Sequence, residues 1–148
     1  MLTLTKKTSY GLIAMAYLAK LDTDKLASAR EMAEMFGMPL ALLMNVLKEL
    51  AAAGYIVSIR GVRGGYRLAC DPKAVSLADV IAALEGPVRL SECLVGHAGH
   101  EGECSRSLMA RCPVGGPLHR VQRKLSDFLK RVSLAEIVSP APSLPRWR

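Results

Sequence analysis

Tyr55-Ile56-Val57-Ser58-Ile59-Arg60-Gly61-Val62-Arg63-Gly64-Gly65-Tyr66-Arg67-Leu68-Ala69 is the stretch on which the fold turns. Its first six residues read as a β-strand, Gly61 to Gly65 as a turn, and Tyr66 to Ala69 as the returning strand. A lone hairpin is marginal in water and must lean on something. The glycines let the tip approach a sugar-phosphate backbone closely, and Arg60, Arg63 and Arg67 concentrate positive charge over a small area.

Immediately upstream lie two short helical patterns. Ser28 stands three residues before Glu31, the spacing of a capping box, and opens a helix whose inward face is Ala29, Met32, Ala33 and Phe36. Gly37 ends it. Met38-Pro39 restarts the chain, and Leu40, Leu43, Leu47 and Leu50 form the buried stripe of the next helix, which closes at Gly54. Two short helices joined by a glycine turn form a helix-turn-helix, and the hairpin after them is a wing. Before this pair, Tyr10, Ile13, Ala14, Tyr17, Leu18 and Leu21 recur at helical spacing, which predicts a helix over 6–20. After the wing, Ser76 and Asp79 form a second capping box and open a helix through Val80, Ile81 and Leu84, stopped by Gly86-Pro87.

Between Ser91 and Gly116 the apolar periodicity disappears, and Gly, His, Glu and Cys dominate. Something other than a hydrophobic core has to order such a stretch. Helical periodicity resumes with Leu118, Val121, Leu125, Phe128, Leu129 and Val132, at near-heptad spacing among Arg120, Arg123, Lys124, Lys130 and Arg131. A single late helix packs on its own domain or crosses a symmetry mate, and a dimer helix is expected here. The proline-rich end, Ser139 to Arg148, reads as a disordered tail. The expected architecture is mainly α with a small β-wing: a winged helix-turn-helix over 1–86, a cysteine-rich segment over 87–117, a dimerisation helix and C-terminal turn over 118–138, and the tail over 139–148.

The 148 residues suit one compact domain with an attachment. Twenty Lys and Arg against 13 Asp and Glu leave a net charge of +7, which favours a polyanionic partner through counterion release. The first residues carry no long apolar run ahead of a cleavage site, and the run from Leu12 to Ala19 is far short of the roughly 20 residues that span a bilayer. A cytoplasmic protein with no membrane partner and no small-molecule substrate is expected. In that compartment thiols stay reduced, so clustered cysteines point to metal binding or redox sensing.

Cys93, Cys104 and Cys112 are spaced C-x10-C-x7-C, and Cys112 is followed by Pro113. Structural zinc usually draws on Cys-x2-4-Cys pairs, and this segment has none. Wider spacing and a Cys-Pro end suit an iron-sulfur cluster of two-iron or four-iron type. His97 and His100 are the local candidates for a fourth ligand, beside Glu92, Glu101, Glu103 or a ligand from a second subunit. Cys70 reads as a small packed side chain. Two other readings use the same cysteines: a zinc site or thiol switch without iron, and an enzyme with Cys112 as nucleophile and His119 as base.

With these motifs in place, the chain resembles the Rrf2 family of winged-helix regulators, of the IscR, NsrR and RirA type. The resemblance runs from Leu4 to about Val138. It is carried by Leu4-Thr5-Lys6-Lys7-Thr8-Ser9-Tyr10, by Val57 to Leu68, by Ser76-Leu77-Ala78-Asp79-Val80-Ile81, by the cysteine segment, and by Val132-Ser133-Leu134-Ala135-Glu136-Ile137. It implies a homodimer on a palindromic double-stranded operator, sensing the state of an iron-sulfur cluster held by Cys93, Cys104 and Cys112. The second cysteine interval is longer than the family's common spacing. Gly115 stands where some members carry a His ligand, and Ser9 where others carry an Asp. The resemblance also sets Arg60 in the minor groove, with Gly61, Arg63, Gly64, Gly65 and Tyr66 on adjacent backbone. Ser28, Pro39, Leu40, Leu42, Asn45 and Lys48 come to the DNA from the helix-turn-helix. Asn45 pairs with adenine, while Leu42 and Met44 offer only apolar contact to thymine methyls.

Overall fold

The computed structural model describes residues 4–22, 24–90 and 111–139. Among the described residues, six helices and a two-stranded ribbon follow in order: α1 (Lys6–Lys20), α2 (Ala29–Phe36), α3 (Leu40–Ala52), β1 (Ile56–Ile59), β2 (Gly65–Leu68), α4 (Leu77–Glu85), α5 (Gly115–Arg131) and α6 (Leu134–Val138). No described helix is long and apolar enough to cross a membrane.

Local chemistry sets most of the boundaries. Ser28 accepts from the Glu31 N–H at 3.1 Å and the Glu31 carboxylate accepts from the Ser28 N–H, so both halves of the capping box at α2 are made. Gly37, at φ 62°, ends α2 in the left-handed conformation that favours glycine. The Ser76 and Asp79 pair caps α4 in the same way. α5 begins at Gly115, ahead of the apolar stripe that starts at Leu118, because Pro117 in a first turn removes an N–H with no helical partner to lose.

One core joins every element but α5. Ala14, Met15 and Leu18 of α1 meet Met32 and Ala33 of α2, Leu43, Val46, Leu47 and Leu50 of α3, Ile56 of β1, Val80 and Leu84 of α4, and Leu134 of α6. The inner face of α1 differs from its apolar stripe as read in the sequence: Thr8, Gly11, Ala14, Met15 and Leu18 are buried, Tyr10 and Tyr17 are half-buried, and Ile13 is exposed. Gly11 shows why. A Cβ there would lie 2.5 Å from Leu84 Cδ1 and 3.4 Å from Val46, so α3 and α4 close on the side of α1 with the least bulk. Phe36, expected inside, is also exposed. Its ring sits edge-on to Tyr17 at 5.6 Å between centroids.

Glu85, at the end of α4, ties α4 to the start of α1. Its Oε1 accepts from the Thr5 N–H at 3.3 Å and from the hydroxyls of Thr5 and of fully buried Thr8. Thr5 caps α1 without a side-chain bond of its own, so a carboxylate borrowed from α4 occupies the positive end of the helix. Desolvation works against ionisation of Glu85, but the donors from Thr5 and Thr8 outweigh it and hold the carboxyl below its ordinary range. A carboxyl depressed by folding stabilises above its unfolded pKa of about 4.3, and that contribution is lost as pH falls through the folded value. Glu85→Gln is expected to cost about 1 kcal/mol at neutral pH, after allowance for solvent at an exposed site. The difference from wild type should vanish on acidification in parallel urea titrations. A gap that persists below pH 3 would show that packing, not charge, is responsible.

Candidate nucleic-acid interface

α3 buries Leu43, Val46, Leu47 and Leu50, and this decides which of its residues face out. Ala41, Met44, Asn45 and Lys48 share the opposite face at helical spacing, all exposed. Of the residues expected to reach DNA, Asn45, Lys48 and Pro39 therefore stand free of the core, while Leu40 and Leu42 are half-buried and Leu40 packs against it. Ser28 is exposed, with its hydroxyl engaged in the α2 cap. Ala41 and Met44 complete a face that helical spacing alone makes visible, once the core side of α3 is known.

The wing is a tight antiparallel ribbon in the register Ile56 to Leu68, Val57 to Arg67, Ser58 to Tyr66 and Ile59 to Gly65. Its outer edge is not free. Tyr66 exchanges both backbone hydrogen bonds with Ala27, at 2.8 and 3.0 Å, so the chain entering α2 acts as a third strand and fixes the wing against the helix-turn-helix. Gly65 makes this pairing feasible: a Cβ there would lie 2.8 Å from the Ala27 carbonyl oxygen. Tyr66 thus contributes through its backbone and a half-buried ring on the core. Arg60, Gly61 and Arg63 project at the tip, and Arg67 is exposed along β2. Among the described residues, ion pairs join Lys7 to Glu49 and Lys25 to Asp22, and none engages Arg60, Arg63, Arg67 or Lys48. The wing therefore presents uncompensated positive charge, which is what contact with phosphates requires.

Cys93, Cys104, His97 and His100 lie outside the described residues. Cys112 is described: its thiol is free and half-buried, three residues ahead of α5, and its carbonyl accepts from the Gly115 N–H at 3.3 Å. The chain entering the cysteine-rich segment is held by the same helix. Gln122 of α5 accepts from the Leu90 N–H at 2.8 Å and donates to the Val88 carbonyl at 2.7 Å. Both ends of the segment are thus tied to α5, a role for Gln122 that a single glutamine in a basic helix does not advertise in sequence. Cys70 is packed beside Tyr55, whose carbonyl accepts from its thiol at 3.4 Å, and burial pushes its pKa up. That describes an inert thiol.

α5 itself has no buried residue. Val114, Val121 and Phe128 recur at intervals of seven with more than half of their surface exposed, beside half-buried Leu118, Leu125 and Val132.

Residues 4–140 match the family described as "Rrf2: Iron-dependent Transcriptional regulator". The chain is 31% identical over 138 residues to the HTH-type transcriptional regulator NsrR of Bacillus licheniformis, covering 91% of each chain. It is similar to CymR, the global cysteine regulator of B. subtilis, with a TM-score of 0.71 and 27% identity over 94% of this chain and 98% of that one. The fold is also that of T. potens IscR, with a TM-score of 0.67 and 24% identity over 96% of this chain and 94% of that one.

Proposed function

The chain belongs to the Rrf2 family of DNA-binding transcriptional regulators, and on that premise we propose that it is a cytoplasmic homodimeric repressor whose cysteine-rich segment holds an iron-sulfur cluster. Membership in a family of regulators sets aside the reading of Cys112 and His119 as a nucleophile and its base; the chain is not an enzyme.

The single observation that carries the proposal is the placement of Cys112. It leads directly into α5, and α5 also grips the entry to the segment through Gln122, so ligation of Cys112 bears on the helix that frames the segment. The donor set fits the group: three thiolates from Cys93, Cys104 and Cys112 are the ligands that iron-sulfur centres use, with His97 or His100 supplying a fourth. When bound, the cluster supplies a centre sensitive to iron supply, redox state or nitric oxide. The protein's part is to convert that state into geometry. The heptad stripe of Val114, Val121 and Phe128 is left exposed in one chain, and a second α5 packed across it would set the distance between two reading heads, as a palindromic operator demands. In each head Asn45 and Lys48 face the major groove, Met44 and half-buried Leu42 present apolar surface to thymine methyls, and Arg60, Arg63 and the glycine tip take the adjacent backbone or minor groove. Loss of the cluster then shifts the population between DNA-competent and DNA-incompetent dimers.

Anaerobically reconstituted wild type is expected to show visible absorbance with iron and sulfide in matched amounts, and Cys112→Ala to show neither. The wild type should also change its affinity for a duplex selected from a random library when the cluster is removed, while the variant does not respond. Identical iron, sulfide and DNA affinity in the two proteins would remove the sensor. In a second reading the same cysteines form a zinc site or a thiol switch without iron. Zinc in place of iron, or thiol oxidation without metal, would identify it.

A further inference from the structure

The wing ends on a residue that its basic footprint does not explain. Gly61 to Gly64 form a four-residue turn closed by the Gly64 N–H on the Gly61 carbonyl at 2.9 Å, which places Val62 and Arg63 at the apex. Val62 is fully exposed, at 108% of its reference surface. The tip that carries it is narrow. A Cβ at Gly64 would collide with the backbone carbonyl oxygens of Ile59 and Gly61, and Gly61 runs at φ 126° with nothing within 4 Å of where a Cβ would sit. The leading edge of the wing is therefore bare backbone, one valine and one arginine, with Arg60 just behind.

A minor groove about 6 Å wide admits an edge of this size. On its floor, A·T pairs present only acceptors, whereas G·C pairs add the guanine 2-amino group, a donor that stands up into the groove. Valine, being β-branched, has little rotamer freedom to lose, and being wholly apolar it has no atom to offer that donor. We propose that Val62 is a specificity-determining residue that seats in the minor groove and selects against guanine beneath the wing tip. The amino group would take the depth that the two methyl groups fill and would be left unpaired against them, while the flanking Arg60 and Arg63 serve the acceptors of A·T pairs. This rests on the reading of the wing as a DNA-contacting element.

The test uses the full chain and two duplexes of alternating sequence, dI·dC and dG·dC, which differ only by the 2-amino group in the minor groove. Binding is followed by fluorescence anisotropy at fixed salt. Wild type should prefer dI·dC by about fivefold, the smallest effect expected for one buried unpaired donor. Val62→Gly and Val62→Thr should bring the ratio toward one; the threonine keeps the branched shape and adds an acceptor for the amino group. Arg60→Ala should weaken both duplexes equally and reduce the salt slope by about 1. A wild-type ratio of one, or a preference unchanged in both Val62 variants, overturns the role of Val62 and leaves the wing in place. Unaltered binding of both duplexes by Arg60→Ala overturns the wing reading and the proposal with it.

Discussion

Replacing Leu134 with Ala is expected to destabilise the protein by about 2–5 kcal/mol, the range for truncating a fully buried leucine. Leu134 has no exposed surface and sits among the core residues of α1, α3 and α4, far from them in sequence. Its backbone is fixed as firmly as its side chain. The Leu134 N–H donates to the Val75 carbonyl and the Leu77 N–H to the Val132 carbonyl, both at 2.8 Å, so the entries to α4 and α6 pair as a short antiparallel bridge. On either side of that bridge stand two capping boxes, Ser76 with Asp79 and Ser133 with Glu136. Ala135 adds a bond to the Pro72 carbonyl at 2.9 Å. An alanine at 134 leaves a cavity that this rigid frame cannot collapse, so a fall in Tm of about 5–15 °C should follow. Ile137→Ala, at a residue of the same short helix with 37% of its surface exposed, should cost far less. Equal melting of the two variants would mean that α6 is not part of the cooperative core.

Gly64→Ala is expected to reduce DNA affinity about tenfold or more near physiological salt while leaving the helical signal intact. The added methyl would press on the carbonyl oxygens of Ile59 and Gly61 and on the carbonyl carbon of Arg60, all backbone atoms with no rotamer by which to yield. The turn must open, breaking the Gly64 to Gly61 hydrogen bond and separating Arg60 from Arg63, and two lost phosphate contacts account for a loss of this order. Gly37→Ala is the instructive control. Its cost is of a different kind: it forces an alanine into a left-handed conformation, at φ 62°, at the end of α2 with open space around it. That change should lower stability by roughly 1 kcal/mol and leave the affinity of the folded protein unchanged. Equal loss of DNA binding in both variants would assign the effect to general destabilisation.

Much of the fold was legible because it is written in local chemistry. Ser28 with Glu31, Ser76 with Asp79, and the Gly37 stop are codes spanning three or four residues, and they appear where the sequence puts them. The glycine-rich turn likewise announced the wing. The apolar stripe of α1 identifies Ala14 and Leu18 in its inner face, but close approach of α3 and α4 puts Gly11 there as well and leaves Ile13 exposed, which the stripe of large residues does not reveal. The candidate site divides the same way. Asn45, Lys48 and the wing arginines are residue types that advertise contact with DNA, but the half-buried positions of Leu40 and Leu42, the exposure of Met44 and the apex position of Val62 depend on which side of each element meets the core.

By itself, the sequence determined the order of helices and ribbon, the caps that bound α2 and α4, the basic balance, and the three cysteines between wing and last long helix. These follow from interactions between residues a few positions apart. Only the tertiary structure decided that Leu134 completes the core built by α1 to α4, that Ala27 braces the wing from its outer edge, that Glu85 caps α1 from another helix, and that Gln122 holds the entry to the cysteine-rich segment. Each of these joins residues more than 30 positions apart, and no periodicity or spacing records a contact of that range. It is set by which faces pack when the chain closes on one core.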